Sequence, residues 1–160
     1  SMKSEIEVII EIPKGSFVKY EMDKATGAFR VDRFIHTTMG YPFNYGYLPN
    51  TLALDGDPVD IVVLASHPVQ SGAILPVRVI GMLQMEDESG IDNKIIAVPT
   101  EKVDPFQALI KDIDDLSPAQ KSLIKNFFET YKLADTNRWA KVGEFSNRAS
   151  AIEEIESCII

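Results

Sequence analysis

The chain has little cysteine, little histidine and no long apolar run. Its one cysteine, Cys158, is the third residue from the end, so an intramolecular disulfide and a Cys-rich zinc site are both excluded, and a reducing cytoplasm is the expected compartment. No run approaches the roughly 18 apolar residues that span a bilayer. The opening "SMKSEIEVII" lacks the apolar core of a secretion signal, and Ser1 before Met2 reads as an added residue. Positive charge is also scarce: 16 basic against 24 acidic residues leave a net charge of -8. That balance speaks against binding nucleic acid by neutralising phosphates over a broad face. An acidic protein can still handle a polyanion if divalent cations bridge its carboxylates to phosphate.

What is present reads as one domain over residues 1–160. At this length a core can be buried without disulfide or metal staples, and hydrophobic residues at 45% with charged residues at 25% are globular values. Neither a linker nor a repeat interrupts them. Alternation predicts strands over Glu5–Ile12, ending at Pro13, and over Phe17–Met22. "DKATG" predicts a turn, with "AFRVDRF" returning as the second strand of a hairpin. "DIVVLA", "AILPVRVIGML" and "KIIAVP" predict three more strands, as an antiparallel barrel or sandwich. Beyond residue 100 the pattern turns helical. Ser117, Pro118 and Gln120 form a capping-box start, and Leu123, Ile124, Phe127, Phe128 and Tyr131 fall at helical spacing. A terminal helix is expected over Ala149–Ile160, with Ile152, Ile155 and Ile159 inward. Trp139 and the two phenylalanines are expected in the core.

The chemistry concentrates in "DGDPVD", Asp55 to Asp60, which places three carboxylates within six residues. Carboxylates about 5 Å apart repel by roughly 3 kcal/mol per pair at an effective dielectric near 20, so either they point apart into water or a cation sits among them. Gly56 permits a tight turn and Pro58 withdraws an amide, giving a stiff loop into a strand. An EF-hand starting at Asp55 would need a ligand at Val59, Gly at position 60 and Glu at position 66, and all three fail. An Asp-x-Asp phosphatase nucleophile would need a different context after the strand. For this hexapeptide alone, a polar turn stays open. A second acidic turn, "MEDESGIDNK", with Asp87 and Asp92, together with Glu11 and Glu21 at strand ends, points to a multi-metal oxygen site. Without His or Cys, such ligands favour Mg²⁺ or Mn²⁺ over zinc. His36 and His67 receive no role.

These motifs, with "IEIPKGSFVKYE", "DRF", "YPFNYGYLPNTL" and "FFETYK" in collinear order, resemble the soluble family I inorganic pyrophosphatases over nearly the whole chain. The resemblance implies Mg²⁺-dependent hydrolysis of pyrophosphate on a mainly β, α+β fold: a closed, five-stranded OB-like barrel with two flanking helices. It implies metal ligation by Asp55, Asp60 and Asp92, further metal contact by Asp87 and Glu11, and phosphate binding by Lys19, Arg33, Tyr45, Lys94, Tyr131 and Lys132. Asp57 matches the residue usually taken as general base, Asp92 also touches the water, and Glu21 and Tyr41 match further active-site positions. A cytoplasmic homohexamer is the implied assembly. Departures lie in "LADTNRWAKV" and in the short C-terminal helix ending "CII". Two other readings stay open: a different metal-dependent phosphohydrolase acting on nucleotides or polyphosphate, and a non-enzymatic barrel that binds metal or oligonucleotide.

Overall fold

The computed structural model describes residues 4–132 and 137–160, so Ser1 and part of "LADTNRWAKV" lie outside the described residues. The fold is mainly β with two α-helices. Strand β1 (Glu5–Ile12) is followed by the hairpin β2 (Val18–Met22) and β3 (Phe29–Phe34). Then come β4 (Asn44–Tyr47), β5 (Asp60–Val63), the long β6 (Ile74–Asp87), the two-residue β7 (Gly90–Ile91) and β8 (Lys94–Pro99). Helix α1 (Pro118–Thr130), strand β9 (Ala140–Asn147) and helix α2 (Arg148–Cys158) complete the order.

Five strands pair in a ring, β1–β4–β5–β8–β6, which β6 closes by pairing back onto β1. β6 manages its pairings with β1, β7, β8 and β9 by bending: its register slips between Val79 and Gly81 against β8, and between Leu83 and Met85 against β9, as bulges allow. One expectation is corrected here. The strands are not all antiparallel, because β5 and β8 run parallel, with Asp60 beside Lys94 and Ile61 beside Ile95.

Alternation along each strand divides the core in two. Ile61 and Val63 of β5, Ile95 and Ala97 of β8, and Val8 and Ile10 of β1 turn to one cluster, where Ala151, Ile155 and Cys158 of α2 pack. Val62, Ile96 and Val98 turn to the other, where Ile124, Phe127 and Phe128 of α1 meet Tyr41, Phe43 and Tyr45. Both faces being covered is why β5 and β8 read as unbroken apolar runs. Gly46 of β4 is dictated by close approach, since a Cβ there would lie 2.1 Å from the Ile9 carbonyl oxygen of β1.

Several side chains depart from expectation. The capping box at Ser117 and Gln120 is present, but Leu123 is exposed because the buried stripe runs through 124, 127 and 128, about 100° around the helix. α2 ends at Cys158, leaving Ile159 outside the helix and exposed; its bridge to Thr51 uses backbone. Trp139 is 48% exposed rather than core. β9 was not expected at all: "AKVGEFSN" has no fully buried residue, as suits a strand held from one side by β6.

Candidate active site

The parallel register of β5 and β8 builds the site. Both strands begin at the same level, so Asp60 opens one beside Lys94, which opens the other. The residues just before each strand, Asp55 to Pro58 and Asp92, are thereby delivered to one place. The first loop is held by its own backbone. Ala53 donates its amide to the Asp57 carbonyl (2.8 Å), Gly56 donates to the Ala53 carbonyl (3.0 Å), and Asp57 donates to the Asp55 side chain (3.0 Å). Gly56 takes a φ of 89°, the left-handed region that a side chain disfavours. The turn leaves the Asp57 carboxylate exposed.

One carboxylate oxygen from each of Asp55, Asp60 and Asp92 lies within 4.8 Å of the others. Lys94, only 2% exposed, donates from its ammonium to Asp60 Oδ2 (2.7 Å) and to Asp92 Oδ2 (2.8 Å). Burial pulls this lysine toward the neutral form, but the charges of Asp60 and Asp92 outweigh it and hold its pKa well above the ordinary value. Burial, then the neighbouring Asp92 and Asp60, push Asp55 up to about 6. Of the three clustered carboxylates, two thus bond one buried cation and Asp55 stands beside them. All-oxygen donors with excess negative charge and no His or Cys fit a hard divalent ion.

The remaining groups surround this cluster in a cleft of about 220 Å³. Glu11, near the end of β1, accepts the Met22 amide (3.0 Å), and burial pushes its carboxyl up to about 7 against that hydrogen bond. Lys132 donates to Asp87 (3.1 Å) and reaches Glu88 at 3.5 Å, while Arg138 donates to Glu88 (3.3 Å). Lys19 is 3.5 Å from Asp32; burial lowers its pKa. The back wall is aromatic. Tyr41 and Tyr45 stand 5.9 Å apart between centroids, Tyr131 stacks on Phe127, and the Lys94 ammonium lies 5.5 Å from the Tyr45 ring. Burial raises the pKa of both Tyr41 and Tyr45, so both stay neutral phenols able to donate a hydrogen bond.

Glu11, Lys19, Glu21, Tyr41, Tyr45, Asp55, Asp57, Asp60, Asp87, Asp92, Lys94, Tyr131 and Lys132 all line this cleft. Arg33 does not: it lies across the hairpin from Lys19, and its guanidinium donates to the adjacent Asp32 (2.8 Å). The cleft also includes Lys24, Tyr47, Glu88, Ser89 and Arg138. Tyr47 shares the alternation of Tyr45 in "NYGY" and Glu88 sits inside the second acidic turn, so both had a local signal. Arg138 follows a polar stretch without periodicity and had none.

Carboxylates short of cations, fringed by lysines and neutral phenols, form a site suited to a phosphate-bearing anion and compatible with bound metal ions. The comparisons with known proteins narrow this class. The family model described as "Inorganic pyrophosphatase" matches residues 8–160. The inorganic pyrophosphatase of Campylobacter jejuni is 52% identical over 156 residues, covering 98% of this chain and 91% of that protein. The solved Helicobacter pylori inorganic pyrophosphatase superposes with a TM-score of 0.95 at 50% identity, covering 98% of this chain and 92% of its own. The Coxiella burnetii inorganic pyrophosphatase gives 0.95 at 45% identity, covering 99% and 95%. The chain belongs to the inorganic pyrophosphatase family.

Proposed function

We propose that this chain hydrolyses pyrophosphate to two orthophosphates with Mg²⁺, which Mn²⁺ can replace. The observation that carries the proposal is the meeting of Asp55, Asp60 and Asp92 at the aligned starts of β5 and β8, in a member of this family. Asp55, Asp60 and Asp92 would hold one ion, and Asp60, Asp87, Asp92 and Glu11 would serve further ions. Ions bound there supply charge neutralisation for the phosphates and a lowered pKa for the attacking water. Asp57, exposed on its stiff turn, accepts the proton as the water oxygen bonds to one phosphorus and the bridging oxygen leaves in line with the other phosphate. Asp92 orients the same water, and Glu21 and Tyr41 complete the wall around it. Lys19, Lys94 and Lys132 hold phosphate oxygens as point charges, and Tyr45 and Tyr131 donate phenolic hydrogen bonds. Arg33 would have to leave Asp32 to join them.

The ring of five strands is read as a closed OB-like barrel within one domain over residues 1–160. No described helix is long and apolar enough to cross a membrane, and we place the protein in the cytoplasm without a nucleic-acid or membrane partner, in line with its net charge of -8. A homohexamer is expected. Phe106 and Leu109, 85% and 86% exposed, are apolar surface that another copy could cover. Phosphate release from pyrophosphate and from ATP, each with Mg²⁺, tests the substrate assignment. Release from pyrophosphate should exceed that from ATP by orders of magnitude, and the reverse order would replace the proposal with a nucleotide hydrolase.

A further inference from the structure

The cations of the cleft are not equally available to an incoming anion. Lys94 is held by Asp60 and Asp92, Lys132 by Asp87 and Glu88, Arg138 by Glu88, and Lys19 by Asp32, each within 3.5 Å. Lys24 also lines the cleft, is exposed, and has no hydrogen bond or ion pair among the described residues. Asp23, the carboxylate adjacent to it in sequence, is already engaged. Asp23 accepts from Arg30 Nε at 2.6 Å and from the Ala25 amide at 2.9 Å.

The same contacts fix the turn that carries Lys24. The Asp23 amide donates to the Ala28 carbonyl (2.8 Å), the Gly27 amide donates to the Asp23 carbonyl (2.7 Å), and Gly27 takes a φ of 75°. The backbone between β2 and β3 is therefore set, and the freedom lies in the four-carbon lysine stem.

We propose that Lys24 is a capture residue for pyrophosphate, its uncommitted ammonium at the mouth of the cleft taking the outward oxygens of the substrate as it enters. The proposal rests on the pyrophosphatase assignment and extends it to the association step. A chain of net charge -8 offers an anion no long-range attraction, so steering must be local. The other cleft cations must first exchange a carboxylate for phosphate, whereas Lys24 has none to release among the described residues. A rim charge of this kind acts on association and on salt dependence more than on the bound state.

The test compares wild type, Lys24→Gln and Lys24→Arg in Mg²⁺-supported pyrophosphate hydrolysis from low to high salt. Lys24→Gln should lower kcat/KM by about threefold to tenfold with kcat within about twofold, flatten the salt dependence, and leave the melting temperature unchanged. Lys24→Arg should restore kcat/KM. Equilibrium binding of methylenediphosphonate with Mg²⁺ gives a second readout, weakened by a similar factor in Lys24→Gln. A Gln variant equal to wild type in kcat/KM and in diphosphonate binding overturns the capture role, as does a loss confined to kcat. A wild type that releases no phosphate from pyrophosphate overturns the enzymatic assignment instead, and the diphosphonate titration then still decides the role of Lys24.

Discussion

Metal-free protein should lose stability as pH rises from 4.5 to 7, and Glu11 should carry much of the loss. Burial raises this carboxyl to about 7 from its ordinary 4.5, with the Met22 amide opposing and Asp60 and Glu21 adding to the rise. Below pH 4.5 the group is protonated in both the folded and the unfolded chain, so its favourable contribution is fully present. Between 4.5 and 7 the unfolded chain gives up its proton while the folded chain retains it, so stability falls with rising pH and the contribution is gone above 7. The interval corresponds to a ceiling of about 3 kcal/mol. Glu11→Gln keeps the side-chain length and an acceptor for the Met22 amide but removes the titration. Urea unfolding in chelator, at one protein concentration, should show the Gln variant gaining on wild type by up to about 3 kcal/mol between pH 4.5 and 7.5. Saturating Mg²⁺ should remove most of that slope. A wild-type-to-variant difference identical at the two pH values would refute a buried, proton-retaining Glu11.

Three substitutions probe the site and the strands that frame it. Asp57→Asn should lower kcat on pyrophosphate by about 10² to 10⁴, while urea unfolding of the metal-free protein stays within about 0.5 kcal/mol of wild type because the side chain is exposed. Lys94→Met removes the ammonium between Asp60 and Asp92; it should cost about 3–5 kcal/mol in chelator and less with Mg²⁺, by the same urea assay. Gly46→Ala would force its Cβ onto the Ile9 carbonyl and should cost about 1–3 kcal/mol or more, with a lowered melting temperature as the readout.

Much of this site was legible in the sequence because its residues sit in short, rigid, collinear segments. "DGDPVD" carries its turn within itself, in Gly56 and the Asp55 side chain, so the placing of its carboxylates is decided locally. The capping box at Ser117 and the hairpin from Val18 to Phe34 were legible for the same reason. What the sequence did not show is long-range. That Asp60 stands beside Lys94 depends on β5 and β8 running parallel, and periodicity gives a strand's faces but not its neighbour or direction. β9 was invisible because its side chains are only half-buried and so carry no apolar alternation. Arg33 shows the opposite limit. A motif match put it with the phosphate ligands, but motif order does not reveal that Asp32, one residue before it, takes its guanidinium.

On the proposed function, the carboxylates at the starts of β5 and β8 bind the divalent ions through which this chain attacks pyrophosphate. Phosphate release from pyrophosphate by chelator-stripped wild type, before and after Mg²⁺ is restored, decides whether they do. Release should be at background without Mg²⁺ and rise by orders of magnitude when it is added. Equal release in both conditions, or none in either, would contradict the claim.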